Sequence, residues 1–119
     1  MKKKSRKKWL KKRNLYVNPK ETWDLCIIIA EFILPRLKKF KALNNGYPFG
    51  ITPEEWDEIL DKMILAFQQI IDDEYAKPLF FGVEEMPNFE ELKEEGIKRN
   101  AIVSEGLSLF AMYFEELWW

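Results

Sequence analysis

Two short segments constrain this chain more than anything else in it. Asn18-Pro19-Lys20-Glu21 and Thr52-Pro53-Glu54-Glu55 share one pattern: a side-chain cap, proline at the first helical position, and an acid three residues after the cap. The cap's oxygen serves an orphan backbone N–H and the acid reaches back to the cap's own N–H. Proline loses nothing there because its N–H would go unused. Each pattern therefore predicts a helix start. Asn88, with Glu91 three residues later, predicts a third. The expected helices run over 19–43, 53–74 and 88–117. The fold class follows: all-α, a compact bundle of three principal helices behind a basic N-terminal arm. Residues 1–17 form the arm, expected to be flexible or conditionally helical, and 18–119 a single helical domain.

Hydrophobic patterning fills in the bundle. From Trp23 to Phe40 apolar residues follow almost without pause, with Asp24 and Glu31 the only charges before Pro35. A helix apolar nearly all round is expected at the centre, its thiol Cys26 buried as a small hydrophobe, with Pro35 bending or ending its first half. In the second helix, Trp56, Ile59, Leu60, Met63, Ile64, Phe67, Ile70 and Ile71 make one face. The opposite face carries Glu54, Glu58, Asp61, Gln68 and Asp72, with Leu65 in its middle. Residues 75–87, with Pro78 and Gly82, read as a long connection, and Gly96 and Asn100 as weak points in the third helix. Val103, Leu107, Phe110, Phe114 and Leu117 make that helix's expected core face, with Leu109 and Met112 pointing elsewhere. Tyr47 and Phe49, in the loop between the first two helices, are expected to fold back on the bundle. Trp118 and Trp119 are expected to pack on the body or on a partner.

Charge is distributed unevenly. The chain is 119 residues long with a net charge of −1, yet nine of its nineteen basic residues fall in the first thirteen positions, which hold no acid. Residues 14–119 hold ten basic and twenty acidic residues, a net −10. The arm's Lys3, Lys4, Arg6, Lys7, Lys8, Lys11, Lys12 and Arg13 are candidate nucleic-acid contacts, with Trp9 placed to stack on a base. The competing readings are an acidic protein surface, the chain's own acidic body, or a solubilising tail.

Chemistry is constrained by absence. The chain has no histidine and one cysteine. That excludes an internal disulfide, a Cys/His zinc site and histidine-dependent catalysis. Glu54, Glu58 and Asp61 share a helix face and could hold Mg²⁺ for a helical nucleotide hydrolase. The plainer reading is a solvated or partner-binding face, with Lys62 pairing with Glu58 four residues earlier. No cofactor, metal or catalytic residue is assigned. The apolar run Leu25–Leu37 is too short and too charged to span a bilayer, which needs about 20 apolar residues, so a cytoplasmic protein without membrane contact is expected.

Three stretches resemble a group of small, functionally uncharacterised proteins of bacterial viruses and prophages. They are Trp23-Asp24-Leu25 leading to Leu34-Pro35-Arg36-Leu37-Lys38-Lys39-Phe40; Asn45-Gly46-Tyr47-Pro48 with Thr52-Pro53-Glu54-Glu55-Trp56-Asp57-Glu58-Ile59-Leu60-Asp61-Lys62-Met63; and Glu105-Gly106-Leu107-Ser108-Leu109-Phe110-Ala111-Met112-Tyr113-Phe114 with Leu117-Trp118. The chain departs from the group at Cys26, where the group tends to carry an acid or polar residue. The resemblance implies a phage setting and no known activity. In that setting the expectation is a non-enzymatic protein that binds and inhibits a host machine, an anti-CRISPR protein acting on an RNA-guided nuclease being the leading case. Its partner-binding residues would be Glu54, Glu58, Asp61, Leu65 and Asp72. The alternative is a phage accessory protein that binds RNA or DNA through the arm.

Overall fold

A computed structural model describes the backbone of residues 3–13, 15–81 and 89–118, and the side chains of 5–13, 15–75 and 90–118. Four helices follow one another: α1 (Lys3–Lys12), α2 (Leu25–Leu43), α3 (Pro53–Phe81) and α4 (Phe89–Met112), with 3₁₀ turns at Pro19–Thr22 and Phe114–Glu116. Among the described residues there is no strand.

The two capping patterns have different outcomes. At Thr52 the expectation holds: Glu55 N–H donates to Thr52 Oγ1 at 3.1 Å and α3 begins at Pro53. At Asn18 both reciprocal bonds form, Lys20 N–H to Asn18 Oδ1 at 3.0 Å and Asn18 N–H to Glu21 Oε2 at 2.9 Å, but they close only a 3₁₀ turn. Asp24 then takes a left-handed conformation (φ 49°, ψ 46°), and α2 starts at Leu25 rather than at 19. Four residues satisfy the box by themselves, and aspartate tolerates the left-handed region better than most side chains. Asn44, also left-handed at φ 48°, ends α2.

The second helix is longer than its pattern implies. α3 continues through Pro78 to Phe81, so the expected connection begins later, and the expected cap at Asn88 lies outside the described residues. Neither Gly96 nor Asn100 interrupts α4, which instead stops at Met112.

The central helix is α3, not the first long one. Among the described residues, α2 and α4 each pack along α3 and not along each other, and α1 packs on none of the three. The core therefore belongs to α3: Trp56, Leu60, Met63, Ala66, Phe67 and Ile71 are buried there, against Ala30, Leu34 and Leu37 of α2. Flanked on one side only, α2 leaves Leu25, Ile29 and Phe32 about half exposed, and Cys26 is exposed rather than buried. The molecule measures 57 × 46 × 20 Å. So thin a body cannot cover every apolar side chain.

The C-terminal segment caps the core side of α3. Tyr113 meets Trp56 edge to face at 5.6 Å, and Phe110 meets Phe67 likewise at 5.2 Å. Leu117 reaches a small hollow on α2 lined by Ile33, Arg36, Leu37 and Phe40. Of α4's expected core face, Val103 is buried and Phe110 and Leu117 pack on the core, but Leu107 and Phe114 are exposed and Leu109 packs inward. The helix ends before Phe114, so the helical register used to place that residue no longer applies. In the loop after α2, Pro48 is buried while Tyr47 and Phe49 stay in solvent, against expectation. Trp118 is largely exposed, and Trp119 lies outside the described residues.

Candidate interaction surfaces

Opposite the buried side of α3 lies its acidic face. Glu54, Glu58, Asp61, Leu65 and Asp72 are all exposed there, as their spacing requires, and Leu65 retains 51% of its surface. The structure brings all five onto one stripe. It also binds the edges of that stripe to the neighbouring helices. Lys41 of α2 reaches Asp61 at 2.6 Å, and Lys62 reaches Glu105 of α4 at 2.7 Å. Asp72 accepts from Gln68 at 2.9 Å, and Gln68 in turn accepts from Lys38 of α2 at 3.4 Å.

Lys62 is a correction: its salt bridge is to Glu105 across the helix interface, not to Glu58 along the helix. Glu58 acts on it only through space. The hydrogen bond that Lys41 donates to Asp61 holds its ammonium pKa above the ordinary 10.5, against the opposing effect of burial. Glu105 does the same for Lys62, first by its hydrogen bond and then by its charge. Both pairs are well exposed and are worth little individually. What they do is set where the outward stripe ends. Between them Glu54, Glu58 and Leu65 face solvent, a row of negative charge with one apolar side chain in it.

The proposed magnesium set fares differently. Asp61 is engaged by Lys41. Among the described residues, no three His, Cys, Asp or Glu side chains come together in a group able to hold a metal ion.

The second surface is α1. The arm's described side chains Arg6, Lys7, Lys8, Lys11, Lys12 and Arg13 are exposed, as is Trp9; those of Lys3 and Lys4 lie outside the described residues. The helix turns back on its own linker. Leu15 N–H donates to Leu10 O at 2.8 Å, which places Tyr16 under Lys7 and Lys11, 5.0 and 5.4 Å from the ring centre. Arg13 lies over the Trp9 ring at 4.6 Å. Arg6, Lys7, Leu10, Tyr16, Val17 and Pro19 line a notch of about 350 Å³. Tyr16 was not a candidate from sequence, because its role depends on the backbone bond from Leu15 to Leu10 and no helical spacing links it to the arm.

Among the described residues no helix is long and apolar enough to cross a membrane. No known protein family, curated protein or solved structure matches the chain.

Proposed function

We propose that this chain is a non-enzymatic interaction protein that docks on a basic macromolecular machine carrying nucleic acid. The observation that carries the reading is the separation of α1 from the body. Nine positive charges sit in the first thirteen residues, yet among the described residues α1 packs on none of α2, α3 or α4. The described part of the arm thus stands apart from the acidic stripe of its own chain, which supports two surfaces of opposite sign open to partners. The α3 stripe suits a basic protein channel: charge steers the encounter and Leu65 supplies short-range contact. The arm suits phosphate. A ribonucleoprotein presents both complements at once. Together with the resemblance to phage proteins, this supports an inhibitor of a host RNA-guided nuclease, an anti-CRISPR protein acting in the bacterial cytoplasm. The deciding experiment is capture from host lysate by the intact chain, by Leu65→Glu, and by a chain lacking residues 1–13, each with and without RNase. An inhibitor docking through α3 loses its protein partner with Leu65→Glu and keeps it after RNase.

The second reading is an accessory nucleic-acid-binding protein acting through α1 alone. The notch beneath Arg6 and Lys7, floored by Tyr16, favours it, since a phosphate beside a stacking ring is what a nucleotide requires. In that case only loss of residues 1–13 abolishes capture, and RNase releases whatever is bound.

A further inference from the structure

The outward face of α2 carries a strip that neither proposed surface uses. Leu25, Ile28 and Phe32 follow at intervals of three and four, with Ile29 beside them, and these four retain 49%, 39%, 56% and 49% of their surface. That spacing is the seam of a helix that pairs with another helix. The strip's ends carry opposite charge. Asp24 stands at its N-terminal end, where it makes no capping hydrogen bond, and Glu21 lies in the turn just before. Arg36 and Lys39 stand exposed at the C-terminal end, Arg36 stacked over the Phe32 ring at 3.8 Å.

A two-fold interface requires that residue i meet residue j while j meets i. An antiparallel pair of α2 helices centred on position 30 meets that condition throughout. Ile28 falls opposite Phe32 of the second copy, and Asp24 opposite Arg36, each contact occurring twice. A parallel pair would set acid against acid and base against base. We propose that α2 is a self-association surface, and that two copies of this chain pair through it antiparallel, an apolar centre flanked by two Asp24–Arg36 contacts. The strip spans about twenty ångströms at 1.5 Å per residue. A seam of that size belongs with small, weak interfaces, and we set its dissociation constant in the micromolar range.

The test is sedimentation equilibrium of the full chain, with helicity followed by circular dichroism. Wild type forms dimers below about 100 μM. Phe32→Glu and Ile28→Ser each raise the dissociation constant about tenfold or more at unchanged helicity. Arg36→Glu alone sets two acids against each other twice and weakens the dimer about tenfold, and adding Asp24→Lys restores it to within about threefold. A chain that stays monomeric at about 100 μM overturns the proposal. So does a dimer indifferent to Phe32→Glu, or a folded Asp24→Lys/Arg36→Glu variant that fails to recover.

Discussion

Gly106 of α4 lies directly on Ala66 of α3. A Cβ at position 106 would overlap the Ala66 methyl and come within 2.5 Å of the Lys62 carbonyl oxygen, which is backbone and cannot swing away. The contact fixes how closely the two helices approach and puts Lys62 beside Glu105.

Gly106→Ala is therefore expected to destabilise the protein by about 1–3 kcal/mol, because the overpacking outweighs alanine's better helix propensity. Gly96 sits in the same helix with nothing within 4 Å of the same hypothetical atom. There Gly96→Ala is expected to stabilise by roughly 0.5–1 kcal/mol. Urea unfolding of both variants, with unchanged slopes, checks the pair. A Gly106→Ala chain as stable as wild type would mean that the α3–α4 approach is not set by Gly106.

Leu60 and Leu65 are five residues apart on one helix, 2% and 51% exposed. Leu60→Ala should cost about 2–5 kcal/mol, and Leu65→Glu less than about 0.5 kcal/mol. If the acidic stripe is the docking surface, Leu65→Glu also abolishes inhibition of the partner, and reversing Glu58 and Asp61 to Lys does the same. A fully inhibitory Glu58→Lys/Asp61→Lys chain would move the site elsewhere on the molecule.

The two inter-helix lysine pairs predict a response to alkali. Asp61 raises the Lys41 pKa above 10.5, and Glu105 does so for Lys62. A lysine whose pKa is higher in the folded chain adds stability that is fully present below its unfolded value, and loses it as the pH climbs through the folded one. Unfolding midpoints measured across that alkaline range should fall less steeply for Asp61→Asn and Glu105→Gln than for wild type, because those variants have already lost the contribution at neutral pH. Identical slopes would mean that the pairs carry no such linkage.

The helical class, the start of α3 and its two faces were legible in the sequence because each depends on neighbours within one or two turns. The Thr52 box and the spacing from Trp56 to Ile71 are local facts. What misled was tertiary. Whether α2 or α3 is central depends on how many neighbours each has, and an apolar run cannot state that; Cys26 and Phe32 are exposed because α2 is flanked on one side. Asn18 makes both bonds of a capping box and still opens no α-helix, since Asp24 changes direction two residues after the turn. Of the candidate surfaces, the α3 stripe followed from periodicity. Its boundaries did not, because Lys41 and Glu105 reach it from other helices.

The arm gives the sharpest prediction about charge. α1 is ten residues long and, among the described residues, packs on no other helix. Isolated helices shorter than about 12–15 residues are marginal in water. Lys7–Lys11 and Lys8–Lys12 are like-charge pairs four apart, each costing roughly 0.2–0.5 kcal/mol. Phosphate removes that repulsion, so single-stranded RNA should raise the chain's helicity as it binds, and the increment should vanish when residues 1–13 are deleted. Binding followed by fluorescence anisotropy should weaken steeply with salt, and each lysine removed from α1 should reduce the logarithmic slope by about 0.7. Trp9→Ala should lower affinity and leave the slope alone, since stacking releases no counterion. A slope unchanged by Lys8→Ala/Lys12→Ala, or helicity that stays flat through saturation, would show that the arm's charge serves a protein partner instead.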